Sequence, residues 1–597
     1  MTIAPLKKIS LIGILDDKET VLEAAQRLGV FHLIPLTPAQ RDLEAIPSGT
    51  GQDAVDALRW LLDSPAQRRP TTDEDDFDLR SIIDQTLRNR SNLKACEDKR
   101  AKLLRRIRDV RPWGQFEFAD LEAIGDYRLW FYIVPQARMK LIDPTDKIME
   151  VVHQDKYRAY VVLLSPDEPP LDAMPVPRTH VGTDSLATLE HKLEQTEVRL
   201  EGLELERHAL TKWSYLLGKH LAQARDQSAC RRAALETADD ERIFVLQAWA
   251  PAEQLEDIEA LSRTLGLALW QEDPGPDEVP PTLLENAAPV AAGEDLVTFY
   301  QTPGYRDWDP SAIVYVSFIL FFGMIMTDAG YGLLLLLVLF LFRSRFGTSP
   351  VAQRMVKMSA WLMMSTTAFG VLTGSYFGIT PAPDSLLGRL KVLQLDDVDT
   401  MMKITLTIGV AHVTLANVMR SIHANTRASR MEPMGWSLVA LGGLATFLLH
   451  GTSFAGLGPV AIVTGLLMVA FFASDRKVTC LRTGALRVFD GLAALARVVN
   501  IFSDVLSYMR LFALGLAAAS LAATINDLSS QLMHAVPGIG LLIALIVLVL
   551  GHAINIGLGL IAGGVHGLRL NVIEFFNWGL KEEGTPFRAF RKEETGQ

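Results

Sequence analysis

The sequence predicts a two-part membrane protein: N-terminal cytoplasmic α/β lobes joined by an antiparallel coiled coil, then a C-terminal all-α bundle of eight transmembrane helices. Three observations predict it. Of the 597 residues 49% are hydrophobic although 21% are charged, which is apolar for a soluble chain of that charge content. The average joins two unlike halves: up to about Thr298 the chain is charge-dense, with stretches such as TTDEDDFDLR and QEDPGPDEVPPT, whereas long apolar blocks dominate from Ile313 onward. Leucines also recur at heptad spacing between residues 186 and 210.

Taken in order, KKISLIGILDDKETVLEAAQRLGVFHLIPL alternates and then turns helical, giving a strand, an amphipathic helix and a second strand. The two lysines of the start are followed within a few residues by acids and by no small-residue cleavage site, so a signal peptide is not expected. A charged helix runs from about Leu79 to Val110 with Ile82, Ile83, Leu87, Leu93, Leu103, Leu104 and Ile107 at helical spacing. YRLWFYIVP and AYVVLLSP have strand character, as does RIFVLQAWAP. Leu186, Leu189, Leu193, Leu200, Leu203 and Leu210 form a seam interrupted by Thr196 and Arg207, and an antiparallel pairing with the earlier helix follows. The expected organisation is an arm over 1–305, with a proximal lobe at 1–78 and 236–305, a coiled coil at 79–110 and 181–235, and a distal lobe at 111–180. A transmembrane domain fills 306–597.

Apolar blocks lie near 311–326, 329–342, 358–378, 404–422, 435–450, 456–474, 489–525 and 539–568. Basic residues test the count, because short cytoplasmic loops keep them. The loops after the second, fourth and sixth blocks hold Arg343, Arg345, Arg354 and Lys357, then Arg420, Arg427 and Arg430, then Arg476, Lys477, Arg482 and Arg487. The long loop between the third and fourth sets Arg389 and Lys391 against Asp384, Asp396, Asp397 and Asp399, and GTSFAGLG has no charge. Both termini are expected in the cytoplasm. The last two blocks continue as helix-compatible sequence for about 40 residues, or ~60 Å, twice the hydrocarbon thickness, so they tilt strongly.

The charge inside SDVLSYMRLFALGLAAAS is the informative feature. A guanidinium keeps its proton, so Arg510 is a permanent cation at membrane depth. Ser503, Ser507, Arg510, Ala513, Ala517, Ser520 and Thr524 share an arc of roughly 140°, a small-residue face that another helix can approach. His552, Asn555, Gly559, Gly563, His566 and Arg569 share an arc of roughly 120° on the last helix. Arg510 can pair with a carboxylate of its own chain, snorkel to the interface, or meet a carboxylate of another subunit. The third reading is favoured, because the apolar blocks offer few partners beyond Asp328 and Asp504, and Asp504 points more than ~90° away on the same helix. Snorkelling is a stronger alternative for Arg569. His552 and His566 either bond across helices or carry protons. Asp328 reads as a turn residue, and Glu574 either pairs locally or lines an aqueous vestibule.

A net charge of −11 with no clustered basic face argues against nucleic-acid binding. Cys96, Cys230 and Cys480 lie far apart with no CxxC spacing, so neither a disulfide framework nor a zinc site is indicated, and no GxxxxGK[ST] loop occurs. No catalytic residue, cofactor or metal is expected. A secondary transporter with a cytoplasmic coiled-coil domain is the alternative, but inverted repeats and paired broken helices are not apparent; a signalling receptor or scaffold gives Arg510 no purpose.

SDVLSYMRLFALGLA and VHGLRLNVIEFF resemble the membrane end of the V-type and A-type rotary ATPase stator subunit, called subunit a or subunit I. PPTLLEN, YQTPGYRDWDP, FFGMIMTDAGYG, GVLTGSYFG and IGVAHV extend the likeness, and the lobe and coiled-coil plan fits. The resemblance implies that Arg510 faces the carboxylate of a rotating proteolipid ring, with Arg569 as its companion. It implies peripheral-stalk subunits on the soluble arm, a cytoplasmic ATPase head and central stalk as partners, and a bacterial or archaeal plasma membrane. The ion-path candidates are Arg510, Arg569, His566, His552, Asn555, Ser507 and Glu574, for H⁺ or Na⁺. One departure concerns the last helix: some relatives place an acid about ten residues before the second arginine, where Gly559 stands here. With no carboxylate between Gly538 and Arg569, the outer half-channel is left to His552, Asn555, His566 or residues of other helices.

Overall fold

The structure, a computed structural model, describes every residue except 1, 38–47, 116–124, 126, 143–146, 171–172, 183, 346–348, 396, 425, 475, 477–479, 536–538 and 594–597. Asp396, Lys477 and Gly538 therefore lie outside the described residues. The chain divides into two compact units, 1–36 with 237–590, and 37–236 with 591–597.

The first unit opens with the strand Leu6–Ile14, which pairs antiparallel with Ile243–Pro251 on one side and Ala268–Glu272 on the other. His32–Ile34 and Ala238–Asp240 also pair with the Ile243–Pro251 strand. Period-two alternation places Ile9 and Leu11 in the core with Phe244, Leu246 and Ala248, and Leu6 is buried out of that step. The helices Lys18–Leu28 and Leu255–Leu265 both end on a left-handed glycine, Gly29 at φ 70° and Gly266 at φ 64°, the conformation that glycine adopts without a Cβ penalty. Ala268–Glu272 escaped the sequence reading because it is short and mostly exposed. The C-terminal segment returns to this sheet: the Phe590 amide donates to the Phe31 carbonyl at 2.6 Å, and the Arg588 amide donates to His32 Nδ1 at 2.9 Å. Burial and the nearby Arg588 charge hold His32 below its usual imidazole pKa.

The second unit contains the helices Leu79–Val110 and Leu186–Leu210 side by side. They run antiparallel, since Asn89 Nδ2 donates to the Leu203 carbonyl at 2.9 Å while Arg100 meets Glu197 at 3.0 Å. Of the heptad positions Leu186, Leu189, Leu203 and Leu210 are buried, and so is the interrupting Thr196. The amphipathic helix Ser48–Leu62, placed by sequence with the proximal lobe, buries Ala54, Ala57 and Leu61 in one cluster with Ile82, Ile83, Leu216 and Leu217 of this unit. A three-stranded antiparallel sheet is formed by Arg128–Pro135, Arg158–Ser165 and Ile148–Gln154, with Arg158–Ser165 in the middle.

The remainder of the first unit is helical. Four helical stretches among the described residues are long and apolar enough to cross a membrane: Val351–Thr373, Val398–Ile422, Leu481–Ala535 and Gly540–Gly579. Ser311–Met326, Ala329–Phe342 and Leu457–Phe472 are shorter apolar helices, and Arg427–Leu448 carries Pro433 near its start. Leu481–Ala535 is not the single continuous helix that the 489–525 block suggests. It divides into Leu481–Leu495, Val498–Ser507 and Met509–Ala535, and the second break falls at Tyr508, two residues before Arg510. Tyr508 is fully buried, with its hydroxyl 2.7 Å from His412 Nδ1, so the side chain is fixed where the helix is interrupted. Opposite it stands Gly409, whose missing Cβ would lie 2.8 Å from the Tyr508 ring. The final helix runs Gly540–Arg569 and passes into a π-helical turn, Leu570–Phe575.

Candidate functional site

The break at Tyr508 and the π turn after Arg569 together build the charged centre. Arg510 Nε donates to the Ser507 carbonyl at 3.2 Å, and Nη2 to Glu574 Oε1 at 2.8 Å. The same carboxylate oxygen lies 3.9 Å from Arg569 Nε. Of the alternatives for Arg510, pairing with a carboxylate of its own chain is thus present, but through Glu574 rather than through Asp328 or Asp504, the partners that the sequence offered. The reason is local: five residues of α-helix turn a side chain about 140° away from its start, whereas i→i+5 bonding in a π turn brings residues Arg569 and Glu574 back onto one side. Asp504, as its place on the helix indicated, is engaged elsewhere, accepting from Trp578 Nε1 at 2.8 Å.

Glu574 is 2% exposed, Arg510 24% and Arg569 51%. One buried carboxylate thus serves two guanidinium groups and leaves the centre with one positive charge in excess. Glu574 Oε2 is buried without a hydrogen-bond partner, and among the described residues no hydrogen bond uses Arg510 Nη1. His566 Nδ1 is likewise buried and unpaired. Ser507 Oγ donates to the Ser503 carbonyl at 3.1 Å, so that hydroxyl is occupied along its own helix. Behind the centre, Ser317 Oγ bonds to Asn571 Oδ1 while Asn571 Nδ2 donates to the Gly567 carbonyl at 3.0 Å.

His552 and Asn555 do not join this group. They lie 17 and 14 positions before Arg569, about 25 and 21 Å along an α-helix, and belong to a second polar cluster. Tyr331 Oη is 2.6 Å from His552 Nδ1, and Asn555 Nδ2 donates to Tyr331 Oη and to the Ala518 carbonyl, each at 3.0 Å. Asn526 Nδ2 donates to the Phe377 carbonyl at 2.8 Å, which turns Oδ1 toward His552 Nε2 at 3.0 Å. With that amide orientation Nε2 carries the proton and Nδ1 accepts from Tyr331. Asp328 closes the cluster: it accepts from the Tyr331, Phe377 and Gly378 amides at 3.0, 2.9 and 3.0 Å and from Ser375 Oγ at 2.6 Å. Its reading as a turn residue fits this geometry. Tyr331 and Asn526 were missed in the sequence, where the only signal was the nearness of Tyr331 to Asp328 in MTDAGYG.

The two small-residue faces differ. On the Arg510 helix Ser503, Ala513, Ala517, Ser520 and Thr524 are exposed, with Ser507 and Arg510 half-buried among them. On the final helix His552, Asn555, Gly559 and Gly563 are buried, because the Ser311–Met326 helix fills that face: a Cβ on Gly563 would come within 2.8 Å of the Phe322 ring. Apolar Met326 and Phe322 thus lie along the final helix between its two polar clusters.

No protein-family model matches the chain. It is 26% identical over 601 residues to the V-type ATP synthase subunit I of Chlamydia pneumoniae, covering 87% of each chain. It is 24% identical over 630 residues to that of Borreliella burgdorferi, covering 99% of each. The A-type ATP synthase subunit I of Methanocaldococcus jannaschii is 27% identical over 456 residues, covering 68% of this chain and 65% of the relative. The resemblance carried by the motifs thus extends over most of the chain, which is similar to V-type and A-type ATP synthase subunit I proteins of bacteria and archaea.

Proposed function

We propose that this chain is the non-catalytic membrane stator subunit of a V/A-type rotary ATPase. It forms ion half-channels against a rotating proteolipid ring, and its soluble arm, held by a coiled coil, links them to peripheral stalks. The chain crosses the membrane eight times with both termini in the cytoplasm, a reading supported by the basic loops and by the return of the C-terminal segment to the N-terminal sheet. Transport of H⁺ or Na⁺ is coupled to ATP hydrolysis or synthesis in a partner head.

The observation that carries this reading is Arg510 on an open small-residue face, half-buried, with Nη1 unengaged. A ring helix can approach such a face closely. A ring carboxylate arriving there meets a centre with one net positive charge, so its ionised form is favoured. It must release its ion before passing and reload on the far side, while the fixed charge blocks leakage between the paths. Glu574 holds Arg510 without neutralising the pair of arginines, and a guanidinium fork can serve two carboxylates. The polar cluster at the middle of the final helix and the charged one at its end, separated by Phe322 and Met326, suit two half-channels offset across the membrane. The cluster of Tyr331, His552, Asn526 and Asn555 lines the outer one; His566 and Glu574 line the inner one.

The test is ATP-driven ion uptake into vesicles by the assembled complex carrying Arg510→Gln. Uptake falls to background. Uptake near the unmodified level with ATPase still coupled would refute the assignment.

A further inference from the structure

A second group of cations lies apart from Arg510. Where the Val398–Ile422 and Leu457–Phe472 helices end and Arg427–Leu448 begins, there is a cavity of about 440 Å³ lined by Arg420, Arg497 and Lys581 with Glu432, Ser429 and Asn577. Arg420 and Arg497 flank Glu432, with Asp504 also acting on Arg497, and Lys581 stands at the exposed rim. Glu432, 13% exposed, lies 3.3 Å from Arg420 Nη2 and 3.6 Å from Arg497 Nη1. These contacts leave donors over: Arg420 Nε is buried without a hydrogen-bond partner, and the Lys581 ammonium makes no ion pair among the described residues. The Arg497 guanidinium rests on the Trp578 ring, 4.7 Å from its centroid, which fixes its plane toward the cavity wall.

Guanidinium groups at the edge of a membrane bundle carry a desolvation cost, and the unpaired Arg420 Nε shows that Glu432 does not fully meet it. The donor set also selects what can relieve it. Two guanidinium forks and an ammonium offer many N–H groups, and Ser429 and Asn577 add polar atoms, an arrangement that matches a tetrahedral oxyanion. A metal cation is repelled, and an apolar guest leaves every donor unmet. The helix ends that frame the cavity sit in the sequence's basic loops, the level at which basic pockets between membrane helices hold acidic headgroups.

We propose that this cavity binds a phosphate-bearing anion, presented by an acidic phospholipid or carried free in solution. Glu432 competes with it for Arg420 and Arg497, while Lys581, which makes no ion pair with Glu432, adds its charge to the ligand. The two carboxylate and ammonium variants therefore act in opposite directions, which general damage to the bundle does not produce.

The experiment uses the purified full chain in detergent, with binding read by native mass spectrometry against phosphatidylglycerol, phosphatidylcholine and inorganic phosphate in separate titrations. Phosphatidylglycerol is retained about tenfold over phosphatidylcholine, a difference that one charge-assisted contact provides. Lys581→Gln removes most of that preference, and Glu432→Gln increases it severalfold. If inorganic phosphate binds with the same opposite responses and phosphatidylglycerol has no advantage, free phosphate is the ligand and the site stands. Equal retention of both lipids with no phosphate binding overturns the proposal, as does binding that ignores Lys581→Gln. Should Glu432→Gln fail to fold, the Lys581→Gln result decides alone.

Discussion

Two helices of this bundle carry nearly the same surface, a stripe of glycine, alanine and serine interrupted by polar groups, yet the fold treats them in opposite ways. The stripe on the final helix faces inward, where Phe322 and Met326 close over Gly563 and Gly559. The stripe around Arg510 stays open. A small-residue face therefore marks close helix approach without saying whose helix approaches. On the final helix the partner is internal, and the polar residues there are locked in hydrogen bonds. On the Arg510 helix no segment among the described residues fills the place, and the cation stands at its edge.

Substitutions distinguish the two faces. The largest effect is expected at the open face: Arg510→Lys, which keeps the charge but loses the fork, lowers ATP-driven ion uptake of the complex by more than about a hundredfold, or ~2.7 kcal/mol. Near-normal uptake in that variant would remove the reason for the open face. Glu574→Gln comes next, because it leaves two guanidinium groups facing each other beside a buried neutral amide. Chemical denaturation of the isolated chain should show a loss of about 2–4 kcal/mol. On the closed face Gly563→Val forces methyl groups into the Phe322 ring and should cost about 1–3 kcal/mol by the same measurement; an unchanged transition would mean the face is not filled. Tyr331→Phe removes the hydroxyl between His552 and Asn555, with a loss of about 1–2 kcal/mol. Ala517→Leu on the open face sharpens the contrast most, since stability should stay within about 0.5 kcal/mol while assembly with the proteolipid ring, followed by co-purification, declines.

Much of this was legible in the sequence. The alternation of LKKISLIGI and IFVLQAWAP located two central strands of the first sheet, and the heptad leucines located the long helix pair. Arg510 and Arg569 identified themselves by being permanent charges in apolar surroundings. The pairing of Arg510 was not legible, because the α-helical period assigns Glu574 to the wrong side of the final helix and only the π turn reverses that. Nor was the separation of His552 from His566, which lie on one face of the same helix but bond to different neighbours. Tyr331 and Asn526 have no periodic or motif signal; their role arises from the Asp328 turn and the Phe377 carbonyl meeting the final helix.

Charge and hydropathy along the chain determined that apolar helices fit to cross a membrane follow a charge-dense N-terminal part, because the transfer free energies of residues depend on composition and not on the path of the chain. Which carboxylate holds Arg510, which stripe is covered and which stays open were decided only by tertiary structure. Those outcomes depend on angles accumulated at the Tyr508 break and the Leu570–Phe575 turn, and a one-dimensional period cannot carry such angles.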